Sequence, residues 1–322
     1  LWPAPPCESL VSRPPPRDGA PTTIAGRASM QEAGSMTIIT DPRCTEYRAV
    51  GHPEKPARVQ RTAELLREQK ALDLRWSEPS PVEDPVLLRG HSENHLKRLA
   101  LAQDFDGDTP FFPGIGDHAR RGVGGALKAL ELIRTGEPAF SLLRPPGHHA
   151  TRDQAMGFCY LSSLAIAALE ARATGIERIA LFDFDVHRGN GTEDVVAGIA
   201  GVTFASVHQH PCYPGTGAGP VGNNCFNFPV APGTPRVEWR KTLEQALQRL
   251  LESRPQIIGV SAGFDAYSRD PLANGSLERE DFHWIGQRLR ATGIPTFSIL
   301  EGGYSLDLPD LVLHYLLGLE GK

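Results

Sequence analysis

The strongest constraint on the fold is an alternation of short apolar segments with longer amphipathic ones. Two short segments, 179–182 and 257–260, are continuously apolar, which is typical of strands buried on both faces of a sheet. Segments 122–134 and 237–253 instead repeat apolar residues at helical spacing. This alternation predicts an α/β fold with a mostly parallel sheet and helices on both of its faces.

The same patterns locate the individual elements along the chain. Strands are predicted at 36–40, 139–143, 178–185, 202–208, 256–261 and 295–300. Helices are predicted at 56–70, 93–103, 122–134, 161–173, 237–253 and 278–291, with a last helix ending near residue 319. Because the sequence contains no internal repeat, we expect these elements to form a single domain.

The first 35 residues differ from the rest in composition. Seven of the 28 prolines fall between Pro3 and Pro21, where large apolar residues are few. Such a segment buries too little apolar surface to offset the entropy that ordering would remove. We therefore predict a disordered extension over residues 1–35 and a folded domain over 36–322.

Charge and cysteine usage exclude several classes of protein. The formal net charge is −5, which argues against direct binding to nucleic acid. No stretch reaches the roughly 18 apolar residues that a membrane-spanning helix needs. The five cysteines form no Cys-x-x-Cys pair and their number is odd, so a disulfide framework is not expected. These features predict a cytoplasmic protein without membrane or nucleic-acid partners.

Polar residues and glycines follow five of the predicted strands, at the point where each strand ends. Ligands of parallel sheets bind beyond the carboxyl ends of the strands, so these segments predict an active site. The five segments are 144–149, 183–191, 206–208, 261–265 and 301–304.

The run Asp183-Phe-Asp185-Val-His187 predicts a metal site. In extended chain, alternate residues share a face, and three such polar groups together are costly unless a cation or hydrogen-bond donors balance the carboxylates. Strand-end aspartates can instead simply cap a following helix, but Asp265 at another strand end favours a metal. Asp185, His187 and Asp265 would supply two carboxylates and one imidazole and leave a position open for water, as in catalytic zinc sites. Ferrous iron is an alternative ion for this donor set.

Two further motifs add catalytic chemistry at the same edge. The tandem His148-His149 follows Pro-Pro-Gly, and two histidines facing a metal favour proton transfer over the ordinary role of a single core histidine. The segment Glu301-Gly-Gly-Tyr304 would bring a phenol to the site, since its glycines permit a sharp turn. By itself, this last motif is equally consistent with an ordinary tight turn.

Together these motifs resemble the histone deacetylase family, including its bacterial deacetylases and acetylpolyamine amidohydrolases. The resemblance runs from about Thr37 to the C-terminus and implies a single-domain, arginase-like α/β fold over 36–322. Asn190 and the sequence Arg-Pro-Pro-Gly-His-His-Ala are similar to the corresponding residues of the class II branch. The matching motifs are Arg144–His149, Gly157-Phe-Cys159, Asp185-Val-His187, Pro214–Gly217, Gly263-Phe-Asp265 and Gly302-Gly-Tyr304.

The resemblance implies a role for each residue of the centre. One catalytic zinc would be held by Asp185, His187 and Asp265. Tyr304 would donate a hydrogen bond to the substrate carbonyl and stabilise the oxyanion.

For the histidine pair, the resemblance implies that His149 is the general base and then the acid that protonates the leaving amine. His148 would assist electrostatically. Asp183 would orient His148, and Asn190 would orient His149. The neutral amide favours an imidazolium less than a carboxylate does, so the two histidines should differ in basicity.

The family also implies a structural monovalent cation, commonly potassium. It would be held by the side chains of Asp183 and Ser206 and by the main-chain carbonyls of Asp185, His187 and Val207.

The substrate tunnel follows from the same resemblance. Its residues would be Gly157, Phe158, Tyr213 and Leu272, with the two aromatic rings gripping a four-carbon linker such as that of acyl-lysine or an acylated diamine. Leu272 stands where polyamine-selective relatives can carry an acidic residue, which favours acyl-lysine. Arg188 departs from the family, because a second histidine usually follows the metal ligand there, and it adds a positive charge close to the centre.

The leading hypothesis is a zinc-dependent amidohydrolase that removes acetyl or short acyl groups from acyl-lysine. Small acetylated amines such as polyamines are the alternative substrates. An arginase-type ureohydrolase would need ligands for a second metal, and an inactive acyl-ligand-binding relative is supported only by Arg188. The oligomeric state cannot be predicted.

Overall fold

The computed structural model describes residues 35–322, so the predicted Pro-rich extension lies outside the described residues except for Ser35. Within the described part of the chain, eight strands form one sheet in which every pairing is parallel. The strands are β1 Met36–Ile39, β2 Leu74–Ser77, β3 Ala139–Ser141, β4 Ile179–Asp183, β5 Val202–Gln209, β6 Cys225–Val230, β7 Ile257–Ala262 and β8 Thr296–Leu300. Their order is β2-β1-β3-β8-β7-β4-β5-β6.

The register of the sheet brings polar strand ends together. β4 lies between β5 and β7, and its last residue, Asp183, pairs with Ser206 and with Ser261. Because all strands run in the same direction, their carboxyl ends share one edge of the sheet. The segments after β3, β4, β5, β7 and β8 meet at that edge.

Helices cover both faces of the sheet, as the sequence predicts. Gly259 of β7 lies against Leu181 of β4 and Leu164 of helix α5 (Ser163–Ala173). The next residue of β4, Phe182, lies with Leu243 and other residues of helix α7 (Arg236–Leu251). Adjacent strand residues point to opposite faces, so α5 and α7 pack on opposite sides. The helices are α1 Ala57–Glu68, α2 Asp84–Gly90, α3 Glu93–Leu99, α4 Ile115–Arg134, α5 Ser163–Ala173, α6 Asn190–Val196, α7 Arg236–Leu251, α8 Arg279–Ala291 and α9 Leu308–Glu320.

The predicted parallel α/β architecture is confirmed, but four elements were not predicted. β2 and β6 are edge strands with partly exposed residues, and therefore lack the continuous apolar run of a central strand. α2 and α6 have seven residues each and show no clear helical periodicity. α3 is equally short, because the helix predicted at 93–103 ends at Leu99. α4 also begins at Ile115, earlier than predicted, and is buried along much of its first half.

Among the described helices, none is both long and apolar enough to cross a membrane.

Gly286 is required by the contact between α8 and α9. A Cβ at this position would collide with the main-chain carbonyl of Tyr315 and with the amide of Leu319. Backbone atoms cannot move aside as a flexible side chain can, so the helices would have to separate.

Gly286→Ala should therefore lower the free energy of unfolding. Overpacking costs about 1–3 kcal/mol, and the better helix propensity of alanine returns about 1 kcal/mol. Urea denaturation followed by circular dichroism measures the difference. Gly116→Ala in α4 is the matched control, since its Cβ would lie 3.6 Å from that of Leu99, an ordinary contact. Equal effects of the two substitutions would contradict the packing argument.

Candidate active site

Three potential metal ligands converge beyond the carboxyl ends of β4 and β7. The Nδ1 atom of His187 lies 3.2 Å from Asp185 Oδ1 and 3.1 Å from Asp265 Oδ2. Both aspartates are fully buried, and His187 is 9% exposed. The structure thus brings together the three residues that the sequence predicts as metal ligands.

Backbone amides hold both carboxylates in place. Gly302 donates to Asp185 Oδ2 at 2.7 Å, and Val186 donates to Asp265 Oδ1 at 2.8 Å. A Cβ at Gly302 or at Gly263 would collide with these carboxylate oxygens. The two glycines are therefore required because the backbone passes directly against the centre.

The charge balance of this trio fits a divalent cation. Burial and the neighbouring Asp185 raise the pKa of Asp265. Burial also acts to raise the pKa of Asp185, but the imidazoles of His148 and His187 outweigh it and lower that pKa. Two buried carboxylates with one imidazole are a donor set that suits zinc or ferrous iron, and three ligands leave a position open.

The two neighbouring histidines have different partners. His148 Nδ1 lies 3.1 Å from Asp183 Oδ2, and His149 Nδ1 lies 2.7 Å from Asn190 Oδ1. Both acceptors are oxygens, so each ring donates its Nδ1 proton and a neutral ring keeps Nε2 as an acceptor. The rings are 4.0 Å apart between centroids.

These partners separate the basicities of the two rings. Burial opposes the charged form of His148, but Asp185 and Asp183 raise its pKa to about 10. Burial, His148 and His187 hold the pKa of His149 well below its usual value. His148 is therefore suited to remain a cation, and His149 to remain a neutral proton acceptor.

A cavity of about 300 Å³ opens over the centre. All four predicted tunnel residues line it, together with two of the predicted catalytic residues and one metal ligand. Its lining is His52, Pro53, Gly107, Asp108, His149, Gly157, Phe158, His187, Tyr213, Leu272 and Tyr304.

Phe158 has a backbone conformation that is unusual for a residue with a side chain. Its φ is +69°, and it follows Gly157 at φ +55°. Strained conformations of this kind persist where the surroundings enforce them, often at functional sites. The Phe158 amide donates to Thr109 Oγ1 at 3.1 Å, and its ring meets those of His52 and Tyr304 edge-on.

Glu301 has a structural role that the sequence motifs do not predict. Its Oε2 accepts the amides of Gly147 and His148 at 2.7 and 3.1 Å, and its Oε1 accepts the hydroxyl of Ser261 at 3.1 Å. Glu301 thereby fixes the backbone that presents the histidine pair. A carboxylate at the end of a buried strand, directly before Gly-Gly, was the available signal.

Two buried arginines also have contacts that the sequence motifs do not predict. Arg144 is fully buried and forms a two-pronged ion pair with Glu54, at 2.6 and 2.7 Å. Arg58 donates from Nε to the carbonyl of Gly303 at 2.7 Å, and its guanidinium lies 4.7 Å from the centre of the Tyr304 ring. Arg144 lies in the predicted segment 144–149, but its partner Glu54 is 90 residues away along the chain. Arg58 lies in no predicted motif, and Gly303 is 245 residues away from it.

The residues predicted to hold a monovalent cation lie on β4, on β5 and in the segment that follows β4. Asp183 and Ser206 are paired residues of adjacent strands, and Ser206 Oγ is 3.0 Å from His208 Nδ1. The carbonyls of Asp185, His187 and Val207 lie in the adjoining segments, and this cation remains a prediction.

The contacts of the Arg188 side chain are with residues outside the cluster of metal ligands. Its guanidinium pairs with Glu193, donates to Thr216 Oγ1 at 2.5 Å, and reaches Asn227 Oδ1 at 3.4 Å. The side chains of Arg188 and Glu193 are 10% and 5% exposed. The additional positive charge of this departure from the family is thus neutralised within a buried pair.

Comparison with known proteins points to one family. Residues 52–318 match the family model described as histone deacetylase domain. A probable deacetylase of Methanothermobacter thermautotrophicus is 37% identical over 305 residues, covering 89% of this chain and 91% of the relative. The crystal structure of the HDA15 HD domain is similar with a TM-score of 0.84 at 28% identity, over 89% of this chain and 90% of that one.

A second solved structure is similar over nearly the same length. The acetylpolyamine aminohydrolase of Burkholderia pseudomallei has a TM-score of 0.81 at 26% identity, over 88% of this chain and 98% of that one. These similarities confirm the deacetylase-like fold expected from the sequence motifs.

Glu193→Gln tests the buried ion pair. Removing one partner leaves the Arg188 charge buried and unpaired, which should reduce the free energy of unfolding by about 3 kcal/mol. Denaturant titration measures the loss. Glu93→Gln is the control, because its partner Lys97 and Glu93 itself are both 72% exposed and such pairs contribute under about 1 kcal/mol. A Glu193 variant as stable as the control would show that Arg188 does not depend on this partner.

Proposed function

The chain belongs to the histone deacetylase family, and from this we propose that it is a metal-dependent deacetylase acting on acyl-lysine in proteins or peptides. The observation that carries the proposal is the convergence of His149, His187 and Tyr304 on one cavity above two buried aspartates. This arrangement offers a proton acceptor, a ligand set and a hydrogen-bond donor around a single point.

We propose zinc as the resident ion, with ferrous iron as the alternative, held by Asp185, His187 and Asp265. When bound, such an ion polarises an amide carbonyl and lowers the pKa of a water molecule to about 7. The buried carboxylates supply the negative charge that holds it.

His149 moves the proton in this proposal. Its Nδ1 proton is engaged by Asn190, so Nε2 is the acceptor for a proton from the attacking water. The same nitrogen then returns the proton to the leaving amine. His148, paired with Asp183, keeps a positive charge beside it and stabilises the negative charge that develops on the substrate.

Tyr304 stabilises the oxyanion. Its ring lines the cavity and is flanked by Phe158, with 5.7 Å between the ring centroids. A phenol there can donate a hydrogen bond to the substrate oxygen as the carbonyl carbon becomes tetrahedral, when the bond is strongest.

The lining of the cavity supports a narrow aliphatic substrate. Phe158 and Tyr213 offer aromatic surfaces for the four methylene groups of an acyl-lysine side chain, and Gly157 leaves room for it. Leu272 gives the entrance an apolar residue, which offers no counter-charge to a second amine. We therefore favour acyl-lysine.

Acetylated polyamines are the second candidate. Asp108 also lines the cavity, and a carboxylate in the lining could pair with a distal amine. The similarity to an acetylpolyamine aminohydrolase supports the same alternative.

A ureohydrolase with two metals is less well supported. Within residues 35–322, the other close set of potential ligands is His148, Cys159 and Glu301. Glu301 already accepts three hydrogen bonds, and His148 faces Asp183. The complete set of Tyr304 and three ligands likewise argues against an inactive binding protein.

We also propose that a potassium ion binds near Asp183 and that the protein is located in the cytoplasm.

Tyr304→Phe should lower kcat by about 100- to 1,000-fold while leaving the metal bound, because it removes only the hydrogen-bond donor to the oxyanion. Activity on an acetyl-lysine peptide and zinc content by elemental analysis measure the two effects. Tyr315→Phe is the control, since its hydroxyl contacts Ser298 in the core at 2.8 Å. Full activity of the Tyr304 variant would show that the phenol hydroxyl takes no part in catalysis.

The zinc-loaded protein should release acetate with a higher kcat/KM from acetyl-lysine peptides than from acetylated polyamines, because Leu272 offers no counter-charge. Leu272→Glu should shift the ratio towards polyamines. A wild-type preference for polyamines would establish the second candidate instead. An absence of turnover on both substrate classes, at full metal loading, would refute the deacetylase proposal.

A further inference from the structure

The carboxylate of Asp270 joins two segments of the cavity lining. Its Oδ2 accepts the amides of Tyr304 and Ser305 at 2.7 and 3.1 Å, and its Oδ1 accepts the amide of Leu272 at 3.0 Å. Asp270 is 7% exposed. Three amide donors on one buried carboxylate amount to a strong local restraint.

The segment that carries Tyr304 needs such a restraint. Tyr304 follows two glycines, and Gly303 has a φ of +114°, a conformation that residues with side chains rarely adopt. Glycine pairs have wide conformational freedom, so the preceding residues do not by themselves fix the direction of the tyrosine.

The two sides of the segment are held by different residues. Arg58 donates to the carbonyls of Glu301 and Gly303 at 2.5 and 2.7 Å, and so holds the residues before Tyr304. Asp270 holds the amide of Tyr304 itself and that of the next residue. Releasing Asp270 would leave the tyrosine anchored on one side only.

We propose that Asp270 is a positioning residue that sets the orientation of Tyr304 and couples it to Leu272, which also lines the cavity. The effect on turnover rests on the proposed deacetylase function, whereas the orientation of Tyr304 does not. Asp270 contacts neither substrate nor metal in this proposal, and acts only through the backbone amides that it accepts.

An asparagine at this position is the sharpest substitution. It preserves the shape of the side chain but replaces one acceptor oxygen with an NH2 group, so it faces at least one of the three amides with a donor. Misplacement of a catalytic group by about 1 Å can lower a rate by about 100-fold. We expect Asp270→Asn to lower kcat by 10- to 100-fold, by the same reasoning, with a smaller change in KM.

A double-mutant cycle distinguishes positioning from general destabilisation. If Asp270 acts through the phenol of Tyr304, Asp270→Asn should have little further effect on kcat in the Tyr304→Phe background. Asp41→Asn is the matched control. Asp41 is 1% exposed and also accepts a backbone amide, that of Arg43 at 2.9 Å. Asp41→Asn should therefore lower stability, but any effect that it has on kcat should not depend on the presence of the Tyr304 hydroxyl.

A second readout does not depend on activity. The chain has six tyrosines, and 3-fluorotyrosine labelling gives each a fluorine resonance, among which that of Tyr304 is absent from Tyr304→Phe. Asp270→Asn should shift or broaden this resonance, and Asp41→Asn should leave it unchanged. If the asparagine variant does not fold, Asp270→Ser, which keeps a single acceptor, replaces it in both experiments.

The outcomes separate this inference from the proposed function. A wild-type protein without activity refutes the function, yet a perturbed Tyr304 resonance in Asp270→Asn would still support the positioning role. An unperturbed resonance, or losses in kcat that multiply in the double variant, would overturn it.

Discussion

The structure depends on burying four carboxylates at one edge of a parallel sheet. A buried carboxylate is tolerated only when hydrogen bonds or cations compensate its charge. Each of the four therefore requires hydrogen-bond donors or positive charge around it. Backbone amides donate to all four of them, and the imidazoles of His148 and His187 lie close enough to balance their charge. The four are Asp183, Asp185, Asp265 and Glu301.

This requirement explains why the loops after the strands are built as they are. Amides can reach a buried oxygen only where the backbone comes very close, and Gly263 and Gly302 provide that approach because a Cβ would strike the carboxylates. Because neither Gly302 nor Gly303 has a side chain, this segment has wide conformational freedom. Hydrogen bonds to Arg58 and Asp270 restrain it from either side. Hydrogen bonds to these two buried side chains thus lie on both sides of the peptide bond between Gly303 and Tyr304.

Much of the fold and of the candidate site was predictable from local patterns. Buried central strands such as β4 and β7 are apolar along their length, and an Asp-x-His run at a strand end is an unusual local arrangement. The edge strands β2 and β6 and the short helices α2 and α6 lack such patterns. The hydrogen-bond partners of Glu301 could not be predicted, because Gly147 and Ser261 lie far from it along the chain and approach it only on folding.

The strand–helix alternation, the polar strand ends and the identity of the potential ligands can be read from the amino-acid sequence, since each is encoded in a few neighbouring residues. Which atoms face one another depends instead on the folded chain. Folding set the 3.1 Å approach of His187 to Asp265, brought Glu301 against the amides of Gly147 and His148, and placed Arg58 against the carbonyl of Gly303. The physical reason is that charge compensation in a buried site is a property of distances between chain segments. Those distances exist only after the sheet has aligned its strand ends.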